Sequence, residues 1–124
     1  MKIQKFEDII GWQKGQELAV GVYSIVGKIK DFGFRDQFCR AAVSVSNNIA
    51  EGFDRSSDAD FSRFLYIALG SCSEVKSMLY LAEKLEYIEQ KNKQTLTDLS
   101  NETGKIIRGL IKSQNPNPQL RTND

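Results

Sequence analysis

Apolar residues recur three and four positions apart along most of this chain, and four stretches carry the pattern. In the first, about 6–30, Leu18, Val22, Ile25 and Ile29 return at helical spacing, flanked by Ala19, Tyr23 and Val26. Asp31, Phe32 and Gly33 then read as a turn closed by a glycine stop. In the second, about 34–53, Phe38, Ala41, Ala42, Val45, Ile49 and Gly52 form one stripe. Residues 54–58 are a connector, and Ser57 or Asp58 is the expected N-cap of the next helix. The third stretch, about 59–85, is the most regular: Phe61, Leu65, Ala68, Cys72, Val75, Leu79 and Ala82 alternate by four and three. That is the a/d spacing of a helix along a bundle seam. In the fourth, about 93–113, Leu96, Leu99, Ile106 and Leu110 extend the seam, with Thr103 in one slot. Both prolines, Pro116 and Pro118, fall after it, so nothing breaks a helix earlier. Long helices with short connections predict an all-α fold, an up-down-up-down antiparallel four-helix bundle. The expected organisation is one domain over residues 1–113 and a flexible polar tail over 114–124.

The second and third helices carry more apolar surface than a lone bundle needs. At about 100° per residue, Cys39, Val43, Ala50 and Phe53 make a second arc beside the main stripe of the second helix. Tyr66, Leu69 and Tyr80 lie off the main stripe of the third. Scattered exposed hydrophobes are ordinary, but the extent of these arcs favours contacts between subunits. The second helix also has a polar ridge: Gln37, Ser44, Asn48, Glu51 and Arg55 follow one another at spacings of seven, four, three and four, with Arg40 at the edge. Three readings are open to it. It is a solvated edge, or a seam in which Asn48 and Glu51 bond a neighbouring helix and fix register, or the setting of a catalytic carboxylate at Glu51. The last is disfavoured, because no base, metal ligand or second acid shares the motif. Asn47 falls toward solvent. Gly52 either permits close helix approach or begins the helix stop, and Gly70 and Ser71 offer a similar small surface.

Composition narrows the chemistry. The chain has 124 residues, a formal net charge of +1 and no histidine. Without imidazole there is no Ser-His-Asp or Cys-His nucleophile and no Glu-x-x-His di-iron site. Cys39 and Cys72 sit among apolar residues and read as reduced core cysteines, not a zinc set. No glycine loop suited to phosphate is present. Neither a catalytic residue, a metal nor a cofactor is expected. No apolar run approaches the roughly 20 residues of a membrane span, and the polar start MKIQKFEDIIGWQKG does not read as a signal peptide. The expectation is a non-enzymatic cytoplasmic protein with no membrane partner.

Three segments, WQKG at 12–15, RDQFCRAAVSVSNNIAEGFDRSS at 35–57 and FSRFLYIALGSCSEVKSMLYLAEKLEYI at 61–88, resemble the four-helix-bundle family encoded in 23S rRNA intervening sequences. That family includes the accessory variability determinant of diversity-generating retroelements. The similarity extends over about residues 6–112. Relatives commonly carry Ser-Ile-Pro-Ser-Asn before Ile-Ala-Glu-Gly. Here Ser46 stands in the proline slot and Asn47 in the next, so any proline kink should be weaker or absent. The resemblance implies a four-helix bundle assembled as a homo-oligomer, a pentameric barrel as in relatives. It also implies a non-enzymatic protein, sometimes labelled ribosomal. The retroelement relatives look like basic adaptors for nucleic acid and a reverse transcriptase.

Charge is distributed unevenly. From residue 90 onward Lys91, Lys93, Lys105, Arg108, Lys112 and Arg121 stand against Asp98, Glu102 and Asp124. Between 58 and 89 acids prevail, with Asp58, Asp60, Glu74, Glu83, Glu86 and Glu89 against Arg63, Lys76 and Lys84. Lys105, Arg108 and Lys112 share one helix face, and an oligomer would repeat that stripe as a multivalent ring. The row is either a solvated face or a contact for structured RNA or other nucleic acid. The sequence shows no RNA-recognition motif and no aromatic platform. The competing function is a scaffold that recruits a protein partner through its apolar arcs.

Overall fold

The computed structural model describes residues 3–55 and 57–114, which form four α-helices and no strand. These are α1 (Ile10–Ile25), α2 (Phe32–Phe53), α3 (Asp58–Lys84) and α4 (Gln90–Ser113), preceded by a 3-10 turn at Phe6–Asp8. The polar tail, from residue 115 on, lies outside the described residues. Each helix packs on the next, and α4 closes the ring against α1.

Contacts between named residues show every neighbouring pair to be antiparallel. Along α1 and α2, Gly11 meets Ile49 while Gly15 meets Ser46. Along α2 and α3, Gln37 pairs with Glu74, Ser44 with Ser71, and Gly52 meets Phe64. Along α3 and α4, Cys72 bonds the Ser100 carbonyl and Leu69 touches Gly104. Along α4 and α1, Leu96 meets Gly21, and Lys14 pairs with Glu102. The up-down-up-down order expected from the short connections is the order observed.

The core is the stripe set read from the sequence, with one element rotated. Leu18, Val22, Phe38, Val45, Ile49, Leu65, Val75 and Leu79 are fully buried. Each such side chain contributes about 1.5–3 kcal/mol through removal from water. All seven positions expected on α3 are buried, and Phe64 and Met78 join them. On α4 the inward line is Leu96, Ser100, Thr103, Ile107 and Ile111, not Leu96, Leu99, Ile106 and Leu110. Leu99, Ile106 and Leu110 are half-buried along its border. Hydrophobicity misleads here because the hydroxyls of Ser100 and Thr103 are satisfied within their own helix, although buried Thr97 Oγ1 has no described partner. Ser100 Oγ donates to the Thr97 carbonyl at 2.9 Å, and Thr103 Oγ1 to the Leu99 carbonyl at 2.7 Å.

The helix expected over 6–30 is broken twice. Ile9 is extended (φ −77°, ψ 120°) and turns into the core, while the ring of Phe6 packs on Trp12 at 5.4 Å. At its far end α1 stops at Ile25, and Val26 and Ile29 remain buried outside the helix. Asp31 explains the shift. It is not part of a turn but the N-cap of α2, its Oδ1 accepting from the Phe34 amide at 3.2 Å. A satisfied cap starts α2 at Phe32, so the reversal falls upstream, on residues 26–30. Of the two expected caps, Ser57 and Asp58, Ser57 caps α3, accepting from the Asp60 amide at 3.1 Å. With Ser46 in the proline slot, α2 runs unbroken to Phe53.

Candidate nucleic-acid interface

The polar ridge of α2 divides into two parts. Its middle is a seam with α3: Ser44 Oγ lies 2.8 Å from Ser71 Oγ, and Asn48 Nδ2 donates to both the Ser44 carbonyl and Ser44 Oγ at 2.8 Å. Gln37 Nε2 reaches Glu74 Oε2 at 3.2 Å one end further along. Asn48 is half-buried and works through Ser44. Glu51 is exposed and pairs only with Arg55 on its own helix, at 3.1 Å. Asn48 thus supports a helix–helix contact, whereas Glu51 touches no neighbouring helix through its charge. Arg55 also lies 4.8 Å from the Phe64 ring centre, so the ridge ends in a cation–π contact with α3.

Gly52 proves to be a close-approach residue. A Cβ there would come within 2.5 Å of Phe64 Cβ. Gly70 faces open space, and Ser71 is the small residue that serves the seam. A second polar link joins α1 and α2, where Gln16 Nε2 donates to the buried Ser46 Oγ at 2.9 Å.

Burial raises both cysteine thiols above their ordinary value. The Cys72 thiol is pushed up to about 11 by burial, with Arg108 and Lys76 pulling it back. Cys39 is raised chiefly by burial as well, with Tyr23 and Arg35 pulling it back. Both are free thiols, and no group of metal-ligating side chains occurs among the described residues. No described helix is long and apolar enough to cross a membrane.

Of the basic residues on α4, Lys105, Arg108 and Lys112 are exposed and make no ion pair with any described carboxylate. Lys91 is exposed at the far end of the helix, roughly 20 Å away by helical rise. Lys93 is engaged: its Nζ lies 3.5 Å from Glu83 Oε1 and 4.0 Å from the Tyr80 ring centre. The structure therefore brings three of the five cations into one unpaired row.

The extra apolar arcs are redistributed too. Leu69 packs against Gly104, and Phe53 stacks edge-on with Phe61 at 5.7 Å. Tyr80 lies beneath Lys93. Val20, Tyr23 and Phe32 stay exposed on the α1–α2 side, and Ile67, Leu81 and Leu85 on the outer side of α3. A shallow groove of about 1090 Å³ crosses the outside of α2, bordered by Tyr23, Cys39, Arg40, Val43, Asn47 and Glu74.

The match to known proteins agrees with this architecture. A family model described as 23S rRNA-intervening sequence protein matches residues 7–109. The crystal structure of a protein of unknown function from the S23 ribosomal protein family of Bacteroides thetaiotaomicron superposes with a TM-score of 0.77. It is 30% identical, and the alignment covers 82% of this chain and 98% of that one. No match is found among curated proteins. Matched over most of its length by the family model, and sharing the helical fold of an S23 relative, the chain belongs to the 23S rRNA-intervening sequence protein family.

Proposed function

We propose that the protein is a non-enzymatic homo-oligomer, a pentamer by analogy with relatives, that binds structured RNA through the outward row on α4. The carrying observation is that Lys105, Arg108 and Lys112 stand three and four residues apart, exposed and without a described carboxylate partner. Cations held away from acids are available to phosphates, and their binding releases counterions. Lys91 and Lys93 lie at the other end of the helix, where Lys93 already serves Glu83 and Tyr80. The family's name points toward rRNA genes, which supports a nucleic-acid partner by association. Assembly is supported by the exposed apolar residues of α1, α2 and α3, among which Tyr23 borders the groove, and it would multiply a weak row into a ring.

Titration of a labelled structured RNA at low and moderate salt tests the reading. Affinity should fall steeply with salt, and replacing Lys105, Arg108 and Lys112 together with glutamine should remove most of it. No binding at low salt would sink the proposal. A second reading, a scaffold that recruits a protein partner, is favoured by the same exposed side chains, Val20, Tyr23, Phe32, Ile67, Leu81 and Leu85. Recovery of one protein partner after nuclease treatment, with no RNA affinity, would select it.

A further inference from the structure

The row on α4 does not stand alone. The Cys72–Ser100 and Leu69–Gly104 contacts set the antiparallel register of α3 and α4. Stepping one turn along each helix brings Tyr66 to the height of Arg108. Tyr66 is 51% exposed. It differs from the other exposed tyrosines: Tyr80 is covered by the Lys93 ammonium, and Tyr23 lies on α1 beside Cys39. Lys76, half-buried on α3, approaches the same seam from the other side of Cys72, whose thiol feels both Lys76 and Arg108.

Five of the six carboxylates on these two helices, all but Asp58 at the start of α3, have partners of their own among the described residues. Glu74 accepts from Gln37 on α2, Glu102 pairs with Lys14 on α1, and Glu83 pairs with Lys93. Asp60 pairs with Arg63, and Asp98 accepts from Gln94. By this register, residues 62–77 of α3 and 101–112 of α4 carry Lys76, Lys105, Arg108 and Lys112, with the exposed Tyr66 ring at the height of Arg108. A ring exposed among cations suits a ligand that offers both phosphates and accessible base faces. A duplex hides its base faces, whereas an unpaired strand presents them for stacking.

We propose that this seam holds an unpaired stretch of nucleic acid, with a base stacked on Tyr66 and the flanking phosphates held by Arg108, Lys105, Lys112 and Lys76. The inference rests on the nucleic-acid reading above and specifies the form of ligand. The test is fluorescence anisotropy at low salt with the full chain, using a short unstructured RNA, the matching DNA strand and a blunt duplex of equal length. The unpaired strands should bind more tightly than the duplex. Tyr66→Ala should weaken single-strand binding by about tenfold, the scale of losing one stacked base, and leave the duplex unchanged. Tyr66→Phe should keep the affinity, and Arg108→Gln should weaken both ligands and flatten the salt dependence. Single-strand binding unaffected by Tyr66→Ala, or tighter binding of the duplex, would overturn the seam while leaving the broader reading intact. Loss of all binding in the unaltered protein would overturn both.

Discussion

Glu86 has a φ of 60°, the left-handed conformation that glycine adopts with least strain. It occupies the C′ position after α3: its amide donates to the Glu83 carbonyl at 2.9 Å, and the Tyr87 amide to the Ala82 carbonyl at 2.8 Å. The backbone needs the conformation and the side chain opposes it. Glu86→Gly should therefore stabilise the fold by about 0.5–1 kcal/mol after the added freedom of the unfolded chain is allowed for. Urea unfolding at fixed protein concentration measures it. Gly52 and Gly70 make a paired test of what a helical glycine is for. Gly52→Ala drives a Cβ into the rigid base of the Phe64 side chain and should lose about 1–3 kcal/mol. Gly70→Ala meets open space and should gain up to about 1 kcal/mol from helix propensity. In the sequence the two glycines look alike, and only the neighbouring helix separates them.

At the scale of elements, the hydrophobic repeat of α3 was legible because its buried positions are all apolar. That of α4 was not, since Thr97, Ser100, Thr103 and Gly104 are buried there as well. Small residues let α4 lie close to its neighbours, and no scale of apolarity registers that benefit. The α2–α3 seam is held by the Ser44–Ser71 hydroxyl contact. A double-mutant cycle with Ser44→Ala and Ser71→Ala should show a coupling of about 0.5–1.5 kcal/mol, read by urea unfolding. The opposite end of the bundle is tied by Asp31, which caps α2 and accepts from the Tyr87 hydroxyl at 2.9 Å. That hydrogen bond, then burial and the Asp31 charge, raises the Tyr87 pKa above its usual 10.0. A raised pKa means a contribution that is complete below pH 10.0 and lost as pH rises through the folded-state value. Cys72, shifted from 9.0 to about 11, contributes in the same direction. Stability should decline from about pH 9 upward, and Tyr87→Phe should make that decline shallower in denaturation curves taken across the alkaline range.

For the whole molecule, the four helices close into a ring that buries one core and still leaves Val20, Tyr23, Phe32, Ile67, Leu81 and Leu85 exposed. If these side chains join subunits, Leu81→Glu should shift the protein to smaller species in light scattering while circular dichroism keeps its helical signal. A wild-type monomer at micromolar concentration would contradict the assembly. The sequence by itself determined the number of helices, the inward faces of α2 and α3, a cap at Ser57 or Asp58 and the family. Those features are local: helical periodicity and capping depend on residues within a few positions of one another. Tertiary structure alone decided which face of α4 turns inward and which tyrosine stays uncovered. Both depend on a partner far along the chain: Gly104 with Leu69, and Lys93 with Tyr80. The same long-range packing turns Glu74, Glu83 and Glu102 toward other partners and leaves Lys105, Arg108 and Lys112 as one unpaired row.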